Sequence, residues 1–247
     1  MRIVIFGGTT EGRTLSRCLA QMGAEVVVCV ATGYGKEEQG ESPGIEVLCG
    51  RLDAEGMGQA ISGVALCIDA THPYAVQASE NIRKACVREQ IRYIRLLRDE
   101  SELPEGARVF PTAQDAAQWL ETTGGNILLA TGAKELGVFA GLGGARLYPR
   151  VLPSHESLAA CEAAGVPRSN ILALQGPFTQ ELNEALIRQF RIRFLVTKDG
   201  GRAGGFEEKA LAAAATGAQL VLLRRPDEDG LPYDAVLAQC REVMGCR

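Results

Sequence analysis

The sequence predicts an α/β protein made of two Rossmann-like domains, each a parallel sheet flanked by helices. Short apolar segments rich in Val, Ile and Leu alternate with amphipathic helical segments along the 247 residues, and this alternation is typical of parallel sheets. Most apolar segments end in a glycine or small polar turn that leads into a helix. The charged stretch "RDESELPEGAR" interrupts the pattern near residue 100, and its Pro and Gly predict a linker.

The linker divides the chain into a domain 1–100 and a domain 101–247, and the final helix could pack back on the first domain. Ligands of open α/β sheets bind at the carboxyl ends of the strands. We therefore expect cofactor and substrate to bind in a cleft between the two domains.

In the first domain, a strand "IVIF" leads into a helix whose apolar residues recur at helical spacing until Gly23. Buried parallel strands are predicted in "EVVVCVATGYG", "IEVLCGRLD", "ALCIDATHPYA" and "IRYIRLLR". Helices are predicted around residues 57–61 and over about 76–88.

In the second domain, Thr112 and Asp115 have the spacing of a helix capping box. A strand, a turn and a helix are then predicted in each of "NILLATGAKEL", "ILALQGPFTQEL" and "FLVTKDGGRAGGFEEKAL". The segment "QLVLLRRP" predicts another strand and "YDAVLAQCREV" a last helix.

The composition is that of an ordinary soluble globular protein, with 46% hydrophobic and 23% charged residues. A net charge of −4 argues against a nucleic-acid partner or binding to a membrane surface. No apolar run approaches the roughly 18 residues of a membrane helix. The eight cysteines form no C-x-x-C pair, so we expect reduced thiols, a cytoplasmic protein and no metal site.

The opening turn "GGTTEGR" follows the first strand and begins the first helix. Unpaired N–H groups and the helix dipole stabilise an anion at such a place. Thr9 stands where a dinucleotide fingerprint has its middle glycine, and the hydroxyls of Thr9 and Thr10 add donors for a pyrophosphate. The alternative is a helix start that needs glycine only for its turn. The cofactor-binding candidates here are Gly7, Gly8, Thr9, Thr10, Glu11 and Gly12.

The end of the second strand favours NADPH over NADH. NAD-binding proteins place an acid there for the ribose hydroxyl, whereas this strand ends at Thr32. Arg51, after the third strand, is a candidate counter-charge for a 2′-phosphate. Its alternative is a surface ion pair with Asp53, which we also include among the cofactor-binding candidates.

The segment "DATHPYA" follows the fourth strand, at the edge over which a nicotinamide would lie. Its cofactor-binding candidates are Thr71, His72, Pro73 and Tyr74. We expect Pro73 in the first turn of the following helix. His72 is either a catalytic residue or a structural hydrogen-bonding residue.

Motifs over nearly the full length resemble the precorrin-6A and cobalt-precorrin-6A reductase family of cobalamin (vitamin B12) biosynthesis. In order they are "GGTTEGR", "ATGYG", "GRLD", "DATHPYA", "ATGAKEL", "YPRVLPS", "LQGPF", "VTKDGG" and "GGFEEK". Gly200 is a departure, because the family usually has Ser after "TKD".

The resemblance implies an NADPH-dependent oxidoreductase that acts on a double bond of precorrin-6A or its cobalt complex. The product would be precorrin-6B or cobalt-precorrin-6B, formed by hydride transfer and protonation of the neighbouring carbon. His72, Lys198 and Asp199 are candidates for supplying that proton, and water is the alternative.

The implied substrate is an anionic tetrapyrrole, so an acidic protein needs a local group of cations to bind it. The substrate-binding candidates lie at predicted turns of the second domain and are Lys134, Arg150, His155, Lys198 and Arg202. The glycine-rich stretch "KDGGRAGGFEEK" could move over a ligand. The sequence leaves the oligomeric state open.

Three other classes of function were compared with this interpretation. A short-chain dehydrogenase needs Lys four residues after a catalytic Tyr, and none of the five tyrosines has one. A non-catalytic NADPH sensor or scaffold, and a two-domain transferase that uses a sugar nucleotide, both stay open as alternatives.

Overall fold

The computed structural model describes residues 1–98, 103–200 and 205–245, and the chain forms two compact units. The first unit comprises Met1–Asp99 and Pro226–Arg247, and the second comprises Glu100–Arg225. The C-terminal segment therefore belongs to the same unit as the N-terminal strand. No helix in the described ranges is both long enough and apolar enough to cross a membrane.

The described strands alternate with helices, except that β6 follows β5 with no described helix between them. The strands are β1 Arg2–Phe6, β2 Glu25–Val30, β3 Ile45–Cys49, β4 Leu66–Asp69, β5 Tyr93–Arg95, β6 Arg108–Phe110, β7 Asn126–Ala130, β8 Leu147–Val151, β9 Leu172–Ala173, β10 Ile192–Lys198 and β11 Gln219–Leu223. The helices are α1 Thr10–Gln21, α2 Gly33–Gln39, α3 Ala54–Ile61, α4 Val76–Glu89, α5 Ala113–Glu121, α6 Leu136–Phe139, α7 His155–Ala163, α8 Gln180–Gln189, α9 Phe206–Thr216 and α10 Tyr233–Met244.

The first unit contains a five-stranded parallel sheet in the order β3-β2-β1-β4-β5. Helices α1 and α10 cover one face through Leu15, Leu19 and Val236. Helices α3 and α4 cover the other face through residues such as Ile61 and Ile82. The strand order reverses between β1 and β4, and ligands bind at such a switch point.

The second unit contains a six-stranded sheet in the order β6-β11-β10-β7-β8-β9, also parallel throughout. Helices α5, α6 and α7 pack on one face of this sheet, with Phe139 fully buried among them. Helices α8 and α9 pack on the other face. The predicted fold class, two parallel sheets flanked by helices, is confirmed.

Several elements were not predicted, for identifiable physical reasons. Strand β8 contains Pro149 and Arg150, and a proline or a charged residue normally argues against a buried strand. Helix α2 has two glycines and no apolar stripe. Strand β6 has three residues, and α7 has no clear apolar face. The predicted cap does form, because Thr112 Oγ1 accepts from Asp115 N at 3.1 Å.

A buried ion pair joins the carboxyl ends of β4 and β5. Arg95 Nη1 donates to Asp69 Oδ1 at 2.6 Å, and the two side chains are 3% and 0% exposed. Tyr93 OH donates to Asp69 Oδ2 at 3.0 Å. Arg95 Nη2 donates to both carboxylate oxygens of Glu228, at 2.9 and 3.0 Å, which connects the C-terminal segment to the sheet.

The same segment is held by main-chain hydrogen bonds. Leu231 N donates to Arg95 O, and Leu97 N donates to Leu231 O, both at 2.9 Å. The segment therefore runs beside the chain that leaves β5, and the Arg95 side chain lies between its carboxylate and that of Asp69.

We expect Arg95→Met to lower the free energy of unfolding by about 3–5 kcal/mol, because it leaves the Asp69 carboxylate buried without its cation. Urea denaturation measures this loss. The matched control is Arg2→Met, which breaks the exposed Arg2–Glu46 pair and should cost at most about 1 kcal/mol. Equal losses in the two variants would contradict the role assigned to Arg95.

Candidate functional site

The turn after β1 brings the main chain to the switch point of the first sheet with little side-chain cover. Gly8 has φ +128°, and a Cβ added there would have no atom within 4 Å. A Cβ at Gly12 would lie 2.7 Å from Ala70 Cβ, so glycine lets α1 pack against the loop after β4. This exposed backbone at a helix start fits the diphosphate of a dinucleotide.

Thr9 lies in this turn, and its hydroxyl both accepts and donates a hydrogen bond within the protein. Thr9 Oγ1 accepts from Gly12 N at 3.1 Å and donates to Ala70 O at 2.9 Å. The expectation that this hydroxyl donates to a pyrophosphate is therefore wrong in this arrangement. Within the described ranges, no protein acceptor takes the N–H groups of Gly8, Thr10 or Glu11, and these are the donors that an anion would find.

The remaining residues of the turn differ in their roles. Gly7 N continues the sheet ladder by donating to Cys29 O at 2.8 Å. Thr10 is exposed at the first position of α1. The Glu11 carboxylate pairs with Arg98, with Nη2 and Oε2 2.7 Å apart. This ion pair offsets the negative charge of Glu11 at the start of α1, where that charge would repel a phosphate.

The ends of β2 and β3 are adjacent, because Val30 pairs with Cys49. Thr32 and Arg51 each lie two residues beyond that pair, and both are exposed. Thr32 Oγ1 caps α2 by accepting from Gly35 N at 3.1 Å, which leaves its hydroxyl hydrogen as a donor. Asp53 caps α3 by accepting from Gly56 N at 2.8 Å, and among the described residues it forms no ion pair with Arg51.

The loop after β4 is fixed by the buried carboxylate of Asp69. Both the N–H and the hydroxyl of Thr71 donate to Asp69 Oδ1, at 3.0 and 2.7 Å. Arg95 Nη1 in turn donates to Thr71 Oγ1 at 2.9 Å. Thr71 therefore has a structural role here, since its hydroxyl hydrogen points to Asp69.

His72 lies in a tight turn that directly follows Thr71, which is held by its hydrogen bonds to Asp69. Ala75 N donates to His72 O at 2.8 Å, which places Pro73 inside a β-turn, where proline is favoured. The prediction that Pro73 occupies the first helical turn is wrong, because α4 begins at Val76. Tyr74 N donates to His72 Nδ1 at 3.4 Å, and the two rings are 5.6 Å apart.

In the second unit, the substrate-binding candidates that are described lie at the carboxyl edge of the sheet. Lys134 follows β7 and His155 begins α7, and both are exposed. Lys198 ends β10, and its Nζ is 2.9 Å from Glu135 Oε1. Arg202 lies outside the described residues.

Asp199 and Gly200 follow β10 directly. Asp199 is 7% exposed and pairs with Arg225, whose Nε lies 3.0 Å from Asp199 Oδ2. Gly200 N donates to Lys198 O at 2.9 Å. Because Asp199 is held in this ion pair, it is a weaker candidate for supplying a proton than the sequence suggested.

Arg150 near the end of β8 is the most buried of the described substrate-binding candidates, at 7% exposed. Its Nη1 donates to Asn183 Oδ1 at 2.7 Å, and its Cζ lies 4.1 Å from the centroid of the Phe178 ring. Burial lowers the pKa of Arg150 to about 10, which leaves the guanidinium charged at neutral pH.

Lys209 on α9 is a second buried cation of this unit, also 7% exposed. Its pKa is lowered to about 8, first by burial and then by the charge of Arg150, against the opposing effect of Glu208 and Asp199. The site prediction missed Lys209 and Phe178, although both lie in motifs, "GGFEEK" and "LQGPF", that the sequence analysis singled out.

The cysteines and acidic residues show no sign of a metal centre in the part of the chain that is described. No group of three His, Cys, Asp or Glu side chains there could hold a metal ion. The described cysteines are free thiols.

Comparisons with known proteins cover the whole chain. Residues 2–246 match the family model described as Precorrin-6x reductase CbiJ/CobK. A cobalt-precorrin-6A reductase of Methanothermobacter thermautotrophicus is 35% identical over 99% of this chain and 82% of its own length. A precorrin-6A reductase of Rhodococcus erythropolis is 33% identical over 91% of this chain and 89% of its own length.

A solved structure described as CobK precorrin-6A reductase shares the fold. Its TM-score is 0.78 at 24% identity, over 100% of this chain and 98% of that chain. The family resemblance that the motifs predicted is confirmed.

Lys209 predicts a dependence of stability on pH. Its pKa is about 8 in the folded chain and 10.5 ordinarily, so between these values the unfolded chain holds a proton that the folded chain has lost. The contribution of Lys209 to stability therefore rises with pH across this window. Urea denaturation from pH 7 to 10 should show a smaller rise with pH for Lys209→Met than for the unaltered protein. Parallel pH profiles would contradict the shift.

Proposed function

The chain belongs to the Precorrin-6x reductase CbiJ/CobK family, and we propose that it uses NADPH to reduce one double bond of precorrin-6A or cobalt-precorrin-6A. The full-length family match carries this proposal. The open turn at Gly8 supports it independently, since its main chain fits a diphosphate. No comparison favours a non-catalytic sensor or a sugar-nucleotide transferase.

In this proposal the first unit holds the cofactor. The N–H groups of Gly8, Thr10 and Glu11 bind its diphosphate, and Thr9 keeps the turn closed against Ala70. A bound reduced nicotinamide supplies a hydride for a conjugated double bond. The loop of His72 and Tyr74, held in place by the hydrogen bonds from Thr71 to Asp69, would help to orient the nicotinamide when it is bound.

The neighbouring carbon of the substrate must take up a proton. His72 lies in the loop after β4, at the switch point of the first sheet where ligands bind, so we propose that His72, or water that it orients, supplies the proton. His72→Asn should then lower kcat by a larger factor than it raises the dissociation constant of NADPH. An unchanged kcat would assign the proton to water that does not depend on His72.

The proposed activity is tested by anaerobic assay of the purified protein with NADPH and precorrin-6A, and separately with the cobalt complex. We expect NADPH to be consumed in equal amount to the macrocycle, and the product to carry two additional hydrogen atoms by mass spectrometry. Binding of NADPH without its consumption in the presence of either macrocycle would contradict the proposal.

NADPH rather than NADH is proposed because residues 31–33, directly after β2, include no acid, and because Thr32 and Arg51 follow the ends of two adjacent strands. The Thr32 hydroxyl hydrogen and the Arg51 guanidinium are then the groups that contact a 2′-phosphate. A carboxylate at position 32 would repel that phosphate and accept from a ribose hydroxyl instead.

We expect Thr32→Asp to weaken NADPH binding about tenfold, through like-charge repulsion, while NADH binding changes little. Aspartate and asparagine both cap helices as well as threonine, so Thr32→Asn is a matched control that keeps the α2 cap without the charge. Dissociation constants come from nucleotide fluorescence titration. Equal losses for the two cofactors, or equal effects of the two variants, would contradict this placement of the phosphate.

A further inference from the structure

Arg150 is a buried cation for which the described residues supply no carboxylate partner. Its neighbours are the amide oxygen of Asn183 at 2.7 Å and the ring of Phe178 at 4.1 Å, and both groups are neutral. Transferring a charged group from water into a protein is costly unless it is paired. Arg95 in the first unit shows the usual solution, since it is equally buried and contacts two carboxylates.

The position of Arg150 is that of a binding group rather than of a core residue. It is the second-last residue of β8, at the carboxyl edge where ligands of parallel sheets bind. Asn183 in the first turn of α8 and Lys209 in the first turns of α9 approach the same edge. Asn183 and Phe178 therefore contact the guanidinium, and Lys209 is near enough for the charge of Arg150 to act on it.

The neighbours also fix the orientation of the guanidinium. Phe178 lies against it, within the range of a cation–π contact. Asn183 binds Nη1 and is itself held by donating from Nδ2 to Thr179 O at 2.7 Å. Nη1 is thus anchored, and no residue of the described ranges accepts from Nη2 or Nε, a pair of donors that matches the two oxygens of a carboxylate.

The local charge favours an anion. Lys209 adds a second buried cation, and the charge of Arg150 lowers the pKa of Lys209. Glu208 and Asp199 act on Lys209 in the opposite direction, and Asp199 also pairs with Arg225.

We propose that Arg150, oriented by Phe178 and Asn183 and assisted by Lys209, binds one acetate or propionate carboxylate of the tetrapyrrole. The inference rests on the proposed function, because it assigns a part of that substrate to these residues. Arg150 is then a substrate-binding residue, and the substrate carboxylate is the counter-charge of its guanidinium. Arg150 takes no part in the transfer of hydride or proton.

The first test is Arg150→Gln, with the exposed Arg168→Gln as matched control from the same unit. Equilibrium titration of the protein with precorrin-6A, without reductant, gives the dissociation constant from the absorption of the pigment. We expect Arg150→Gln to weaken binding by about 10- to 100-fold, as for a lost charge-assisted pair. NADPH affinity should stay unchanged, and Arg168→Gln should match the unaltered protein. Binding of precorrin-6A within twofold in Arg150→Gln would overturn the proposal.

The second test keeps Arg150 and supplies an internal counter-charge with Asn183→Asp. An aspartate at this position competes with a ligand carboxylate for the guanidinium, so precorrin-6A binding should weaken although the cation remains. A purely structural Arg150 would gain a partner and leave substrate affinity unchanged, and that result would overturn the proposal. This variant also decides the question if Arg150→Gln does not fold.

The two proposals fail in different ways. If the unaltered protein consumes NADPH with precorrin-6A and both variants bind the macrocycle normally, the carboxylate site is wrong and the activity stands. If the macrocycle binds in an Arg150-dependent manner but is never reduced, the site stands and the proposed function is wrong.

Discussion

The first unit depends on one buried ion pair, that of Arg95 with Asp69. The Asp69 carboxylate accepts from Arg95, Tyr93 and Thr71, and so connects β4, β5 and the loop of His72. The second half of the Arg95 guanidinium holds Glu228 of the C-terminal segment. Removing Arg95 or Asp69 leaves a buried charge without a partner. The conformation of the His72 loop and the packing of the C-terminal segment on β5 therefore depend on these two residues.

The two buried arginines, Arg95 and Arg150, differ in the groups that surround them. This difference distinguishes a structural arginine from one that we propose to bind a ligand. Arg95 is satisfied by carboxylates of its own unit, which makes it a structural cation. Arg150 has an amide and an aromatic ring as neighbours in the described part of the chain, and this is the basis of the proposal that it binds a ligand carboxylate. Both lie at carboxyl ends of parallel strands, where the backbone leaves room for polar side chains without disturbing the apolar sheet.

Much of the fold could be predicted because it follows from local rules. The apolar strands, the glycine turn at Gly8 and the cap at Thr112 depend on neighbours in the sequence, and the structure has them where they were expected. Helix α2 and strand β8 could not be found in this way. Their propensities are poor, and packing against the sheets stabilises them instead.

The site was harder to predict than the fold, because the roles of its polar groups depend on distant partners. Thr9 was expected to donate to a phosphate, but its hydroxyl reaches Ala70 O, 61 residues away in sequence. Asp69, Arg95 and Glu228 are far apart in the sequence, so no local pattern predicts that they form one ion-pair network. Arg150 was singled out by its position in a motif, whereas its burial and its contact with Asn183 depend on residues that are distant in the sequence.

Hydride transfer from the nicotinamide to the macrocycle is the central claim, and isotope transfer tests it most directly. The protein would be incubated anaerobically with precorrin-6A and NADPH that carries deuterium at the transferable position. We predict that one deuterium atom appears on a carbon of the reduced macrocycle, and that none is transferred from NADP⁺ labelled at the same carbon. Reduced macrocycle without deuterium, or labelled NADPH that binds and stays unoxidised, would contradict the account.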